Sequence, residues 1–139
     1  MMFPCRPANH ERRVVIAGET TPMSMFACSV GETVYALSFA DVRDPARVGL
    51  ALGELARAAQ SNLLSPGPAA LQPVQVAGMT PHPQSARWRL AGRLPDGRAV
   101  EEHVAVFSYG TRVYQATMLG PKLDAEAEDV FFGALRVGP

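Results

Sequence analysis

The sequence predicts an α+β domain: an antiparallel sheet of about six to seven strands covered by two helices, in the order β-β-β-α-β-β-β-β-α. Three observations carry this. Residues 33–39 alternate large and small side chains with a period of two, and residues 44–64 form a capped run rich in alanine and leucine. Residues 92–118 then read as strand, tight turn, strand, turn, strand, and an amphipathic helix over 124–137 closes the chain. Strands grouped in runs with helices between them indicate an antiparallel sheet rather than a parallel one with alternating crossovers.

Taken in order, residues 12–17 form a first strand and residues 23–28 a second, with residues 18–22 turning between them. In the third strand Tyr35, Leu37 and Phe39 share the inward face, while Val34, Ala36 and Ser38 take the other. Asp44-Pro45 is a helix start, an N-cap followed by proline at the first helical position. Val48, Leu52, Leu55 and Ala59 then fall three and four apart and form the packing stripe. Ser65-Pro66-Gly67-Pro68 breaks that helix. Residues 71–77 alternate again, with Pro73 confining the early part of this strand to an edge or to its first residues. Pro95-Asp96-Gly97-Arg98 and Tyr109-Gly110-Thr111 turn an antiparallel meander made of residues 85–94, 98–109 and 111–118. In the last helix Ala127, Val130, Phe131, Ala134 and Leu135 make the buried stripe.

Size and charge bound the function classes. The 139 residues form a single domain, 1–139, large enough to stand on a hydrophobic core alone. Thirteen basic and thirteen acidic side chains cancel, so nothing in the overall balance attracts a nucleic-acid backbone or an anionic membrane. No apolar run approaches the ~20 residues of a membrane span, and the first residues lack a signal peptide's basic start and apolar stretch. As written, the chain is expected to be cytoplasmic and not inserted in a membrane.

The residues that carry chemistry form no signature. His10, His82 and His103 are too scattered for a zinc site, and there is no His-Glu-x-x-His helix, phosphate loop or dinucleotide fingerprint. No metal or cofactor is expected. His103 reads as a surface or half-buried imidazole in a cross-strand pair beside Glu101 and Glu102. Cys28 reads as a small buried strand residue and Cys5 as a tail thiol; a disulfide between them needs an oxidising compartment and a suitable Cα separation. Ser29 and Ser108 lack the first glycine of a nucleophile elbow. Catalysis is therefore not expected. The candidate partner-binding residues are Arg87, Arg89 and Arg112 of the meander and His82 in the stiff loop Pro81-His82-Pro83. The alternative for the arginines is a solvated sheet face paired with Glu101 and cross-strand neighbours.

Phe3-Pro4, the stretch Tyr35-Ala36-Leu37-Ser38-Phe39-Ala40-Asp41 ahead of a long helix, the Leu94-Pro95-Asp96-Gly97 turn, Thr111-Arg112-Val113-Tyr114-Gln115 and Phe131-Phe132-Gly133-Ala134-Leu135-Arg136 together resemble the PsbP-like fold. The likeness spans nearly the whole chain and points to small bacterial proteins of unknown function, many of them exported or lipid-anchored. It implies a non-catalytic binding or assembly module, because known members act by binding other proteins; it carries over no functional residues. Members of the family usually have a strand before the Phe-Pro element. Without it, the exposed sheet edge invites a second copy, and a homodimer joins the expectations. With a start further upstream, the expected compartment becomes the cell envelope or periplasm. The favoured reading is a module for a protein partner. The alternative is a small-ligand binder or unrecognised enzyme with a cleft between the long helix and the C-terminal meander.

Overall fold

A computed structural model describes residues 3–64 and 70–138. Six strands, β1 (Ala8–Ile16), β2 (Glu19–Val30), β3 (Thr33–Asp41), β4 (Ala86–Arg93), β5 (Ala99–Tyr109) and β6 (Arg112–Gly120), form one antiparallel sheet in the order β1-β2-β3-β6-β5-β4. Helix α1 (Val48–Ser61) lies between β3 and β4 in sequence, and α2 (Ala125–Gly133) follows β6. The α+β class and the alternation of strands and helices are as the sequence predicts. The break at residues 65–68 lies outside the described residues.

Several local expectations hold for physical reasons. The Asp44 side chain accepts the Ala46 N–H at 2.9 Å, and Pro45 opens a short 3-10 turn that runs into α1. Gly97 (φ +90°) supplies the left-handed position of the β4–β5 turn, which Leu94 closes by donating to the Arg98 carbonyl at 2.9 Å.

Two expectations about the strands are corrected. Residues 18–22 are not a turn: Ala17 (φ +49°) and Gly18 (φ +84°) make a two-residue hairpin turn, and β2 begins at Glu19. Pro22 is tolerated because it pairs only with Arg13 of β1; the pairing of β2 with β3 starts at Met23. Residues 71–77 do not form a strand. Pro73 has no N–H for a ladder, and the segment makes isolated bridges, Gln72 with Arg87 and Ala77 with Arg136.

Both faces of the sheet are covered. Period two along β5 sends Val104 and Val106 to the α1 face and Ala105 and Phe107 to the α2 face, all four buried. Under α1, Ala51, Leu52 and Ala59 meet Trp88, Val104 and Val113. Under α2, Phe131 and Leu135 meet Phe107, Tyr114 and Met118, with Val74 and Val76 of the crossing segment filling the rest. Val130, expected in the buried stripe of α2, is 68% exposed; the helix turns it outward while Glu128 takes a buried position at 5%.

Candidate functional site

α2 is a ridge between two hollows. On the β4 side, Gln72, Arg87, Arg89, His103, Ala125, Glu128 and Asp129 line a polar cleft of about 310 Å3. On the β3 side, Phe3, Pro4, Tyr35, Val130, Phe131 and Ala134 line an apolar groove of about 440 Å3, with Asp124 and Glu126 at its rim. Neither lies between α1 and the meander, where a cleft was anticipated: Leu52, Trp88 and Val104 pack together there.

The cleft is built from three elements. Arg89 on β4 and His103 on β5 are register partners, which puts both on the α2 face. Glu128 comes down from α2, where its Oε1 accepts from His103 Nδ1 at 3.0 Å and its Oε2 accepts from Arg89 Nη2 at 2.6 Å. The imidazole stacks on Phe132, with ring centroids 3.9 Å apart. Burial holds the His103 pKa below the ordinary histidine value, opposed by the hydrogen bond and charge of Glu128 and reinforced by Arg87 and Arg89. Since a carboxylate can only accept, Nδ1 donates, and in the neutral ring Nε2 carries the lone pair. Such a ring could serve as a base or an acceptor, but among the described residues no Ser, Thr or Cys lines the cleft. Among the described residues, no group of three His, Cys, Asp or Glu side chains is placed to hold a metal.

The four candidate residues separate. Arg87 and Arg89 share the cleft. Arg112 lies six residues along β6 from Met118, the register partner of His103, which is roughly 20 Å by strand rise, and its guanidinium sits 5.4 Å from the Phe39 ring centre. His82 packs beside Gly49 of α1, and its Nδ1 accepts the Gln84 N–H at 3.0 Å. His103, expected as a surface or half-buried imidazole in a cross-strand pair beside Glu101 and Glu102, is only 8% exposed and bonded to Glu128 of α2 instead. The acid that meets the arginine face is Glu128; Glu101 accepts the Leu123 N–H at 2.7 Å. Glu128 was missed although its spacing marks it, three residues before Phe131 and four before Phe132 on the inward side of the helix.

The two cysteines are joined. Cys5 and Cys28 form a disulfide with Cα atoms 5.9 Å apart, so Cys5 is not a tail thiol. No helix among the described residues is long and apolar enough to cross a membrane. No protein-family model matches the chain, and no curated protein sequence matches it significantly.

Proposed function

We propose that this domain is a non-catalytic binding module of PsbP-like type that engages a protein partner through α2 and the hollows on either side of it. The observation that carries the reading is the apolar groove together with Val130, a large apolar side chain left 68% exposed on the outer side of α2, whose Glu128 and Phe131 are buried. A partner straddling α2 meets an apolar pocket on one side and the guanidinium groups of Arg87 and Arg89 on the other, a combination suited to both anchoring and orientation. The resemblance to a family whose known members bind proteins supports the same reading. The Cys5–Cys28 bridge favours an oxidising compartment, the cell envelope or periplasm, over the cytoplasm.

The test is cross-linked capture from the host with wild type, Val130→Asp and Arg87→Glu, with cytosolic and envelope fractions kept apart. A partner retained by wild type and lost by both variants, at unchanged thermal stability, supports the module. Capture of nothing by wild type, or of a protein that both variants also retain, sinks it.

The second reading, a homodimer, rests on β1. Of the two edge strands, β4 is flanked by the bridges of Leu64 and Gln72, whereas among the described residues no bridge reaches the outer side of β1. Sedimentation at rising concentration separates this from a monomer.

A further inference from the structure

The apolar groove has one wall that is fixed and one that is tethered. Tyr35 and Phe131 are the fixed wall, both buried and packed edge to face at 5.2 Å between centroids. Phe3 and Pro4 are the opposite wall, on a segment that belongs to no helix or strand. Among the described residues no hydrogen bond holds residues 3–7. What fixes this wall is the contact of Phe3 with Phe131, at 5.8 Å between ring centres, and the covalent bond from Cys5 to Cys28. Cys28 is the register partner of Tyr35, so the bridge anchors the loose wall beside the rigid one. The rim carries the exposed carboxylates Asp124 and Glu126, and among the described residues no basic side chain lines the groove.

We infer that this groove is a site assembled by oxidation: it receives an apolar side chain or ring carried next to a cationic group, and it is complete only while Cys5 and Cys28 are joined. The inference rests on the binding reading above and names the chemistry and control of its groove. Assembly is thiol–disulfide exchange. One thiolate attacks the disulfide of an oxidant and forms a mixed disulfide, the second attacks the first cysteine's sulfur and displaces the oxidant's thiolate, and the oxidant departs as a dithiol carrying the two electrons and the two protons the cysteines lose. A dithiol reductant runs the same steps backwards. Freed from Cys28, the 3–7 segment has only the Phe3 ring contact to set against its regained conformational freedom, and the groove loses a wall.

Two small probes of opposite charge, phenethylammonium and phenylacetate, are titrated against the protein while the Ala127 and Ala134 methyl and Phe131 ring resonances are followed. The oxidised protein should bind the cation about three- to tenfold more tightly than the anion. Reduction with dithiothreitol should weaken the cation about tenfold, reversibly on reoxidation. Phe3→Ala with the bridge intact should weaken it as reduction does, which decides the matter even if the reduced protein unfolds. No binding of the cation to oxidised protein overturns both this inference and the groove's part in the proposed function. Equal binding before and after reduction, or undiminished binding by Phe3→Ala, overturns the gating and leaves the groove standing. Equal affinity for the two probes overturns the cationic occupant alone.

Discussion

Glu128 holds His103 and Arg89 at once, one carboxylate oxygen to each, at 3.0 and 2.6 Å. The two bonds differ in weight. The His103 side is buried, whereas the Arg89 side chain is 60% exposed and its ion pair is screened by water. Glu128→Gln should therefore destabilise by about 1–3 kcal/mol, nearly all of it from the histidine side. Its diagnostic effect is on His103. The carboxylate raises a pKa that burial lowers, so losing its charge should move the imidazole titration further down. Ring-proton NMR across pH reads this directly, and an unchanged or higher titration point would contradict the assignment.

Glu102 faces the other way on β5, 5% exposed between its register partners Leu90 and Leu119. Its Oε1 has no hydrogen-bond partner among the described residues, and burial pushes its pKa from an ordinary 4.5 up to about 7. The unfolded chain releases this proton near the lower value and the folded protein near the upper. Folding thus takes up a proton between them, and stability falls as pH rises through that window, by about 3 kcal/mol in all. Glu102→Gln should remove that slope. Urea unfolding of both proteins at pH values spanning the window checks it; parallel profiles count against a buried neutral carboxyl.

The Cys5–Cys28 bridge spans a sequence separation of 23. Closing a loop of that size removes unfolded-state entropy worth about 3 kcal/mol, so Cys5→Ser combined with Cys28→Ser should lower unfolding stability by about that amount. Equal denaturation midpoints for oxidised wild type and the double variant would show that the bridge contributes nothing.

Gly78 and Gly97 both have positive φ, +87° and +90°, but only one is crowded. A Cβ on Gly97 meets open space, whereas on Gly78 it would collide with the Val137 carbonyl, where the chain end docks through the Val137 N–H to the Ala77 carbonyl at 2.9 Å. Gly97→Ala should cost about 1 kcal/mol of backbone strain. Gly78→Ala should cost at least about 2 kcal/mol and expose residues 136–138 to carboxypeptidase. Equal costs would refute the docking role.

Local chemistry made much of this fold readable. Asp44-Pro45 and the Pro95-Asp96-Gly97 turn each act within a few residues, and each is seen in the structure. The period of two in β3 is blurred: Tyr35 is buried but Leu37 and Phe39 are only half-buried, while Ser38 and Ala40 of the opposite face are buried too, because both faces of the sheet are covered. What escaped depends on neighbours distant in sequence. Alternation in residues 71–77 looked like a strand because Val74 and Val76 do point into the core, but a strand also needs a ladder, which Pro73 and the crossing path deny it. The site was half legible. Arg87 and Arg89 share a face by periodicity, while the bond of Arg89 to Glu128 requires knowing that α2 crosses that face of β4 and β5. The same gap hid the burial of His103 and Glu102, adjacent residues on opposite sides of a strand whose two faces are both covered.

The hairpin of β1 and β2 is closed at one end by the Ala17-Gly18 turn and at the other by the bridge from Cys5 to Cys28. The edge strand is thus part of a covalent ring. A strand in a ring cannot leave its own molecule to replace its counterpart in another, and it cannot slide along β2 without straining both closures. While oxidised, this protein can offer the outer side of β1 to a neighbour and still be barred from strand exchange, a common route from an open edge to entangled oligomers.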